Sequence, residues 1–304
     1  MARGSGATPP AAALALVLNA FVWGVSWWPF RVLESRGLHP LWATSLIYCV
    51  SLALLLAVRP QAWRRFGHEP LLWVLALAAG LTNVGFNWAV TVGDVVRVVL
   101  LFYLMPAWSV ILAWPLLGER PTPIALARLA LAMAGVVVVL KAPGSAWPVP
   151  ESAADWLSIA GGFSFALTNI LLRKMQGVDA PSRVLAMFGG GAVSAGVAGL
   201  IALSLGVIAA PPTPGADWVG VGLALSVGFL ASNIALQYGA SRVNAHTAAL
   251  IMLSEVVFAS VSSVALGAAE LNARTWLGGA MILAAALWSA WSPGAGRPAA
   301  AVAQ

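Results

Sequence analysis

LMPAWSVILAWPLLG, Leu104 to Gly118, lies over LSEVVFASVSSVALG, Leu253 to Gly267, at a constant offset, and both stretches close on Leu-Gly. Each belongs to the fourth hydrophobic segment of one half of the chain. Ten such segments can be counted, at approximately 11–32, 41–58, 71–92, 95–115, 122–141, 153–174, 183–207, 217–238, 244–266 and 275–292, and the second five repeat the pattern of the first five. The leading segments match as well: FVWGVSWWPFR (Phe21 to Arg31) lies over FSFALTNILLR (Phe163 to Arg173), and each ends in arginine. A repeat with an odd number of membrane crossings enters the bilayer from the side opposite to its partner. Two five-helix halves therefore insert upside down relative to each other, the plan of a secondary transporter.

Composition excludes most other classes. Of 304 residues 61% are hydrophobic and 9% charged, with a mean hydropathy of +0.89, far more apolar than a water-soluble domain requires. A spanning helix takes roughly 20 apolar residues, so ten of them with short loops fill the chain and leave no room for a separate soluble domain. The expected organisation is a cytoplasmic N-terminal segment (1–10), a first five-helix repeat (11–141), a linker (142–152), a second repeat (153–292) and a cytoplasmic tail (293–304). The linker reading rests on KAPGSAWPVPESAAD, Lys141 to Asp155, whose prolines, glycine and serines suit an exposed connection. MARGSGATPPAAA resembles the start of a secretory signal, but it leads into the counterpart of the sixth segment, which carries Asn19 and tryptophans, so it is expected to enter a retained first helix. Lone Cys49 gives neither a disulfide framework nor a CxxC pair and is expected to pack in the core.

The net charge of +6 does not point to nucleic acid, because the basic residues are scattered over short loops. With the N-terminus inside, eleven of the sixteen fall on the cytoplasmic side, among them Arg59, Arg64, Arg173, Lys174 and Arg183, and five outside: Arg31, Arg36, Arg97, Lys141 and Arg274. The positive-inside rule thus places both termini in the cytoplasm. In the seventh segment GGGAVSAGVAG (Gly189 to Gly199) offers small-xxx-small pairs for close helix approach.

The stretch Tyr103 to Glu119, with a proline in mid-span and a closing Leu-Gly-Glu, resembles the signature that ends each half of EamA-type members of the drug/metabolite transporter superfamily. The likeness covers the whole chain as two five-helix repeats, and the tryptophan-rich first segment is most similar to the bacterial aromatic amino-acid exporters of that superfamily. The second half departs from the pattern: Glu255 stands opposite Pro106, and LGAAE (Leu266 to Glu270) displaces the loop glutamate by two residues. The resemblance implies a multi-pass inner-membrane carrier that exports amino acids with aromatic or other bulky neutral side chains.

Polar groups within spans carry the chemistry of a carrier. Asn83 and Asn87 share one helix face, with Phe86 and Trp88 beside them; Asn233 and Gln237 repeat the spacing in the second half, next to Tyr238. Amides offer donors and acceptors without net charge, which suits a zwitterion; the competing reading is that they bond neighbouring helices. Trp23 and Trp27 in the first segment and Phe165 with Thr168 and Asn169 in the sixth are candidates for an aromatic wall, whereas Trp63, Trp147, Trp156, Trp218, Trp276, Trp288 and Trp291 read as an interfacial belt. Span four carries Tyr103, Met105 and Pro106, and the aligned span nine has Met252, Ser254 and Glu255 at the matching positions. The proline frees a backbone carbonyl. Glu255 is the acidic residue set well inside a span, where an ionised carboxylate costs about 3 kcal/mol; it reads either as a proton carrier or as a hydrogen-bonded brace. Asp94 with Arg97 at the outer mouth of span four, and His246 with Arg242 at the inner mouth of span nine, are candidates for gating or for interfacial snorkelling. His39 and His68 read as solvated loop residues.

No metal constellation, cofactor motif or nucleotide-binding loop is present in the sequence, so ATP is not expected to drive the carrier directly. The expected partners are a small-molecule substrate, an amino acid, and the lipid bilayer, with no nucleic acid and no obligate protein partner. Two alternatives stay open within the carrier class: export of drugs, or of another metabolite. A distant rival is an intramembrane serine hydrolase pairing Ser164 with His246, though Gly162-Phe163-Ser164-Phe165 lacks the final glycine of a nucleophile elbow. A channel is disfavoured because no ring-forming filter sequence appears.

Overall fold

The computed structural model describes residues 10–66, 68–118, 120–141, 149–240, 242, 248, 251–269 and 272–290. Those residues are helical with no strand among them, and seven helical stretches are long and apolar enough to cross a membrane. The helices are α1 (Pro10–Val25), α2 (Trp27–Ser35), α3 (Pro40–Val58), α4 (Leu71–Val92), α5 (Val95–Phe102), α6 (Met105–Leu117), α7 (Pro123–Leu140), α8 (Ala153–Lys174), α9 (Ala180–Ser204), α10 (Ala216–Ala240), α11 (Ser254–Ala265) and α12 (Ala273–Ala290). A short 3-10 turn, Pro60–Arg65, joins α3 to α4.

Local chemistry sets the helix starts. Asp94, Thr122, Ser152 and Asp179 each accept the backbone N–H three residues on, and Pro123 sits at the first turn of its helix, where its missing N–H costs nothing. His39 caps α3 by accepting the Leu41 N–H; contrary to the solvated-loop reading, it is half-buried against Trp88.

Three spans are interrupted among the described residues. The first stops at Val25 and restarts at Trp27, and the fourth stops at Phe102 and restarts at Met105. In the fourth, Pro106 has no N–H to return to the Phe102 carbonyl, so the ladder is interrupted one turn earlier. The aligned stretch of the second half does the same without a proline: the turn residue Leu253 precedes α11. Both stretches also end alike, with Gly118 at φ 72° and Gly267 at φ 67°, a left-handed conformation that only glycine adopts freely.

The packing alternates between the halves. Helix α4 packs on α8 and α9, while α1 and α3 pack on α10; α6 meets α8 as α11 meets α1; and α7 pairs with α12. Small residues permit these approaches. A Cβ at Gly191 would stand 2.8 Å from the Tyr48 ring and one at Gly199 3.0 Å from Trp42, while Gly190 lies directly on the Ala76 carbonyl. Cys49, expected in the core, is instead exposed on α3. Asp155, inside the expected sixth span, lies in the first turn of α8 and is buried. Trp63, Trp156, Trp276 and Trp288 are exposed, as interfacial residues are.

Candidate functional site

A cavity of about 320 Å³ lies where the breaks of the fourth and ninth spans face α1, α4, α8 and α10. Its position follows from two glycines. A Cβ at Gly162 would stand 2.5 Å from the Phe102 carbonyl oxygen that Pro106 leaves without its helical donor, and one at Gly24 2.7 Å from the Glu255 carbonyl oxygen. Helices α8 and α1 thus each press bare backbone against the break belonging to the other half, and the space beside these contacts is the cavity.

One wall is aromatic. Trp23 stacks on Phe229 with ring centroids 4.6 Å apart and meets Phe86 edge-on at 6.4 Å; Phe86 then packs on Phe102 at 4.7 Å and Phe102 on Phe165 at 5.5 Å. Polar groups lie about one turn from these rings on the same helices, Asn19 beside Trp23 and Asn83 beside Phe86. Asn83 donates to the Ala79 carbonyl at 2.8 Å and accepts from the Tyr48 hydroxyl at 2.6 Å. Asn19 donates to the Ser232 carbonyl and hydroxyl oxygens at 3.0 and 2.6 Å. Asn233, Thr168, Met105 and Met252 also line the cavity. Asn169 lines the cavity yet is exposed, one turn before Arg173 and Lys174, so the opening lies toward that end of the bundle. Glu255 enters from the first turn of α11, where the helix dipole favours a carboxylate, and the Tyr103 hydroxyl stands 3.5 Å from its Oε2 and 3.5 Å from the Met252 carbonyl oxygen.

The far end is closed by ionic and backbone contacts. Arg97 forms a two-pronged pair with Asp155, Nε to Oδ1 at 2.8 Å and Nη2 to Oδ2 at 2.9 Å, and donates a third bond to the Val139 carbonyl. Arg31 donates to the carbonyls of Val90 and Gly93 and lies over the Trp27 ring. A second groove, about 670 Å³, runs along the outside between α3, α4 and α9; its exposed Trp63 and Leu77 mark it as lipid-facing.

Trp23, Asn83, Phe86, Tyr103, Met105 and Phe165 come together here, as do Thr168, Asn169, Asn233, Met252 and Glu255. Others do not. Trp27 does not line the cavity; it is buried, with its Nε1 donating to the Ser262 hydroxyl at 2.9 Å. Asn87 is fully buried and bonds Thr44, which is the helix-bridging reading of that amide. Tyr238 is 41% exposed under the Arg242 guanidinium, outside the cavity. Asp94 does not pair with the Arg97 guanidinium but caps α5 through the Arg97 N–H; the charge partner is Asp155. Gln237 lies on α10 one turn beyond Asn233, and Pro106 is the second residue of α6. His246 lies outside the described residues, and with it the partner required by the buried Ser164. Sequence reasoning passed over Asn19, Tyr48, Phe102 and Phe229; for Asn19 the signal was its position one turn before Trp23.

The comparisons agree with this architecture. A protein of Streptantibioticus cattleyicolor named "Probable terminal-alkyne amino-acid exporter" is 32% identical over 175 residues, covering 54% of this chain and 57% of that relative. The matched part thus spans little more than half of the relative's length. Among solved structures, a crystal structure described only as that of a protein superposes on 91% of this chain and 96% of its own with a TM-score of 0.56 at 17% identity, a likeness of fold. Residues 10–141 and again 152–291 match the EamA-like transporter family. The chain is a multi-pass membrane protein and belongs to the EamA-like transporter family.

Proposed function

We propose that this chain is a secondary carrier that exports neutral amino acids, above all those with aromatic or bulky side chains, across a bacterial inner membrane. The observation that carries the reading is the cavity itself. At about 320 Å³ it is at the small-ligand end of the usual range for binding sites, and it sets aromatic rings beside amides and a carboxyl group. The exporter named among the relatives handles an amino acid, which supports the same substrate class.

The two halves act as inverted repeats, with domain limits at 11–141 and 153–292 and both termini in the cytoplasm. Three observations support this: the exchanged helix pairings, the matched breaks at Leu104 and Leu253, and the bias of basic residues toward one side. Alternating access then follows from rocking one half against the other about the cavity. In this scheme the Arg97–Asp155 end is shut while the Asn169 end is open.

Purified protein in proteoliposomes, loaded with unlabelled phenylalanine, tests the reading by counterflow of radiolabelled tryptophan, phenylalanine and threonine, with a cationic drug as comparison. Saturable amino-acid counterflow is the expected result. Drug flux alone would replace amino-acid export by drug export, and non-saturable flux would replace the carrier by a channel. An imposed pH gradient in the same vesicles, with Glu255→Gln, reads whether that carboxyl couples a proton to transport. A phosphatase fused to the C-terminus is expected to be inactive, and an active fusion would overturn the proposed orientation.

A further inference from the structure

We propose that the cavity anchors its substrate by a protonated amine rather than by a carboxylate, so that its ligands form the wider class of organic ammonium compounds with a ring-sized apolar body. This rests on the carrier reading of the same cavity and narrows what it recognises.

Two buried polar atoms on its wall, Asn19 Oδ1 and Thr168 Oγ1, have no partner among the described residues, and both can accept a hydrogen bond. Asn19 is 1% exposed, and its NH2 makes two bonds, to the Ser232 carbonyl and hydroxyl oxygens. A carbonyl oxygen only accepts, so the amide cannot be turned the other way. Its Oδ1 is left with no hydrogen-bond partner among the described residues. Asn83 and Asn169 are oriented by the same logic, each donating to the backbone carbonyl one turn back, Ala79 at 2.8 Å and Phe165 at 3.0 Å. The Tyr48 hydroxyl, a donor within reach, is engaged by Asn83 Oδ1 at 2.6 Å. What Asn83 and Asn169 still offer a carboxylate is one neutral hydrogen each.

Charge points the same way. Glu255 is the carboxylate on this wall, and among the described residues no arginine, lysine or histidine side chain lines the cavity. A substrate carboxylate would meet another carboxyl group and open acceptors, without the charged donors that its desolvation requires. An ammonium brings three donors and a positive charge, which match Glu255 and the unpartnered oxygen of Asn19. Thr168 Oγ1, 1% exposed and also without a partner among the described residues, can accept from the same group.

Two phenylalanine derivatives separate the charges: phenylalaninamide keeps the ammonium and lacks the carboxylate, while N-acetylphenylalanine keeps the carboxylate and lacks the ammonium. Each is offered as competitor of phenylalanine counterflow and, separately, as stabiliser of the detergent-purified full chain in a thermal-unfolding assay. Phenylalaninamide is expected to compete within about threefold of phenylalanine and N-acetylphenylalanine at least about tenfold more weakly, as when a buried acceptor loses its donor. Glu255→Gln is expected to bring the two ligands together, and Glu255→Asp to keep them apart. Equal competition, or a preference for N-acetylphenylalanine, overturns the inference and leaves the carrier reading standing. Absence of counterflow with stabilisation by phenylalaninamide alone does the reverse, and stabilisation by neither ligand overturns the inference.

Discussion

The hydroxyl of Tyr103 stands 3.5 Å from the backbone carbonyl oxygen of Met252, and these two residues occupy the same place in their halves, each just before the matched stretches that begin at Leu104 and Leu253. These two interrupted spans therefore meet at their interruptions. A broken helix within a membrane leaves polar backbone groups that need partners, and such breaks are tolerated where they face protein or a cavity. Here each break faces the other, across the space that also holds Glu255.

The Tyr103 hydroxyl links the two breaks through Met252 and Glu255, at long range in both contacts. Tyr103→Phe keeps the ring and removes this link. It is expected to lower phenylalanine counterflow about threefold, the worth of one modest hydrogen bond, with the unfolding midpoint little changed. Met252→Leu is the control, because the acceptor there is the main chain. Equal losses in both variants would show that side-chain packing, not the hydroxyl, is what matters.

Adjacent glycines on α9 should differ sharply. Gly190 lies on the Ala76 carbonyl with no room for a methyl group, whereas nothing stands within 4 Å of a Cβ at Gly189. Gly190→Ala is expected to cost about 1–3 kcal/mol, as overpacking of a close helix contact does. Gly189→Ala should be neutral or slightly stabilising, since alanine favours the helix. Unfolding midpoints in detergent check the pair, and similar values for the two variants would contradict this account of how α4 and α9 pack.

Much of this architecture is legible in the chain. The third and sixth spans were expected at 71–92 and 153–174, and α4 and α8 run between the same residues, because each begins and ends at a sharp change from apolar to punctuating residues. The candidate wall residues Asn83, Phe86, Phe165 and Asn233 were legible for a related reason: a polar or aromatic group in mid-span on a regular helix faces where the period places it. The failures occur where a distant partner decides. Trp27 is one turn past Trp23, but its indole N–H is held by Ser262 of α11, 235 residues away. Aspartate 155 is 58 residues from Arg97, so an ion pair between them cannot be seen locally, and the nearby Asp94 took its place in the reading. Tyr48 needed tertiary information, since its hydroxyl reaches Asn83 on another helix, 35 residues on.

The Arg97–Asp155 pair should carry stability that Asp94 does not. Asp155 is 2% exposed and is held by Arg97 and the Glu151 N–H, so Asp155→Leu alone leaves the guanidinium facing an apolar group. The expected loss is about 3 kcal/mol, near the low end for a broken buried pair because the Arg97 side chain is 26% exposed. Pairing it with Arg97→Met should recover most of that loss, because the uncompensated charge goes with it. Asp94→Asn should change the midpoint little, since asparagine caps a helix as well as aspartate. A double variant no better than Asp155→Leu would mean that the three bonds of Arg97 matter for more than charge balance.

His39 gives a pH dependence of defined sign. Burial holds its imidazole below the ordinary value of 6.5, and the neutral ring accepts the Leu41 N–H at the start of α3 through Nδ1. The unfolded chain therefore binds a proton at a higher pH than the folded chain does. Stability from this site is fully present above about pH 6.5 and is lost as the pH falls from there through the folded value, because protonation favours the unfolded state and removes the cap acceptor. His39→Asn retains a capping oxygen and cannot titrate. Measured between pH 7.5 and pH 5, the unfolding midpoint of the unmodified protein should fall further than that of His39→Asn, the difference appearing below about pH 6.5. Parallel curves for the two proteins would show that the proton is taken up equally in both states, and the buried-cap account of His39 would fail.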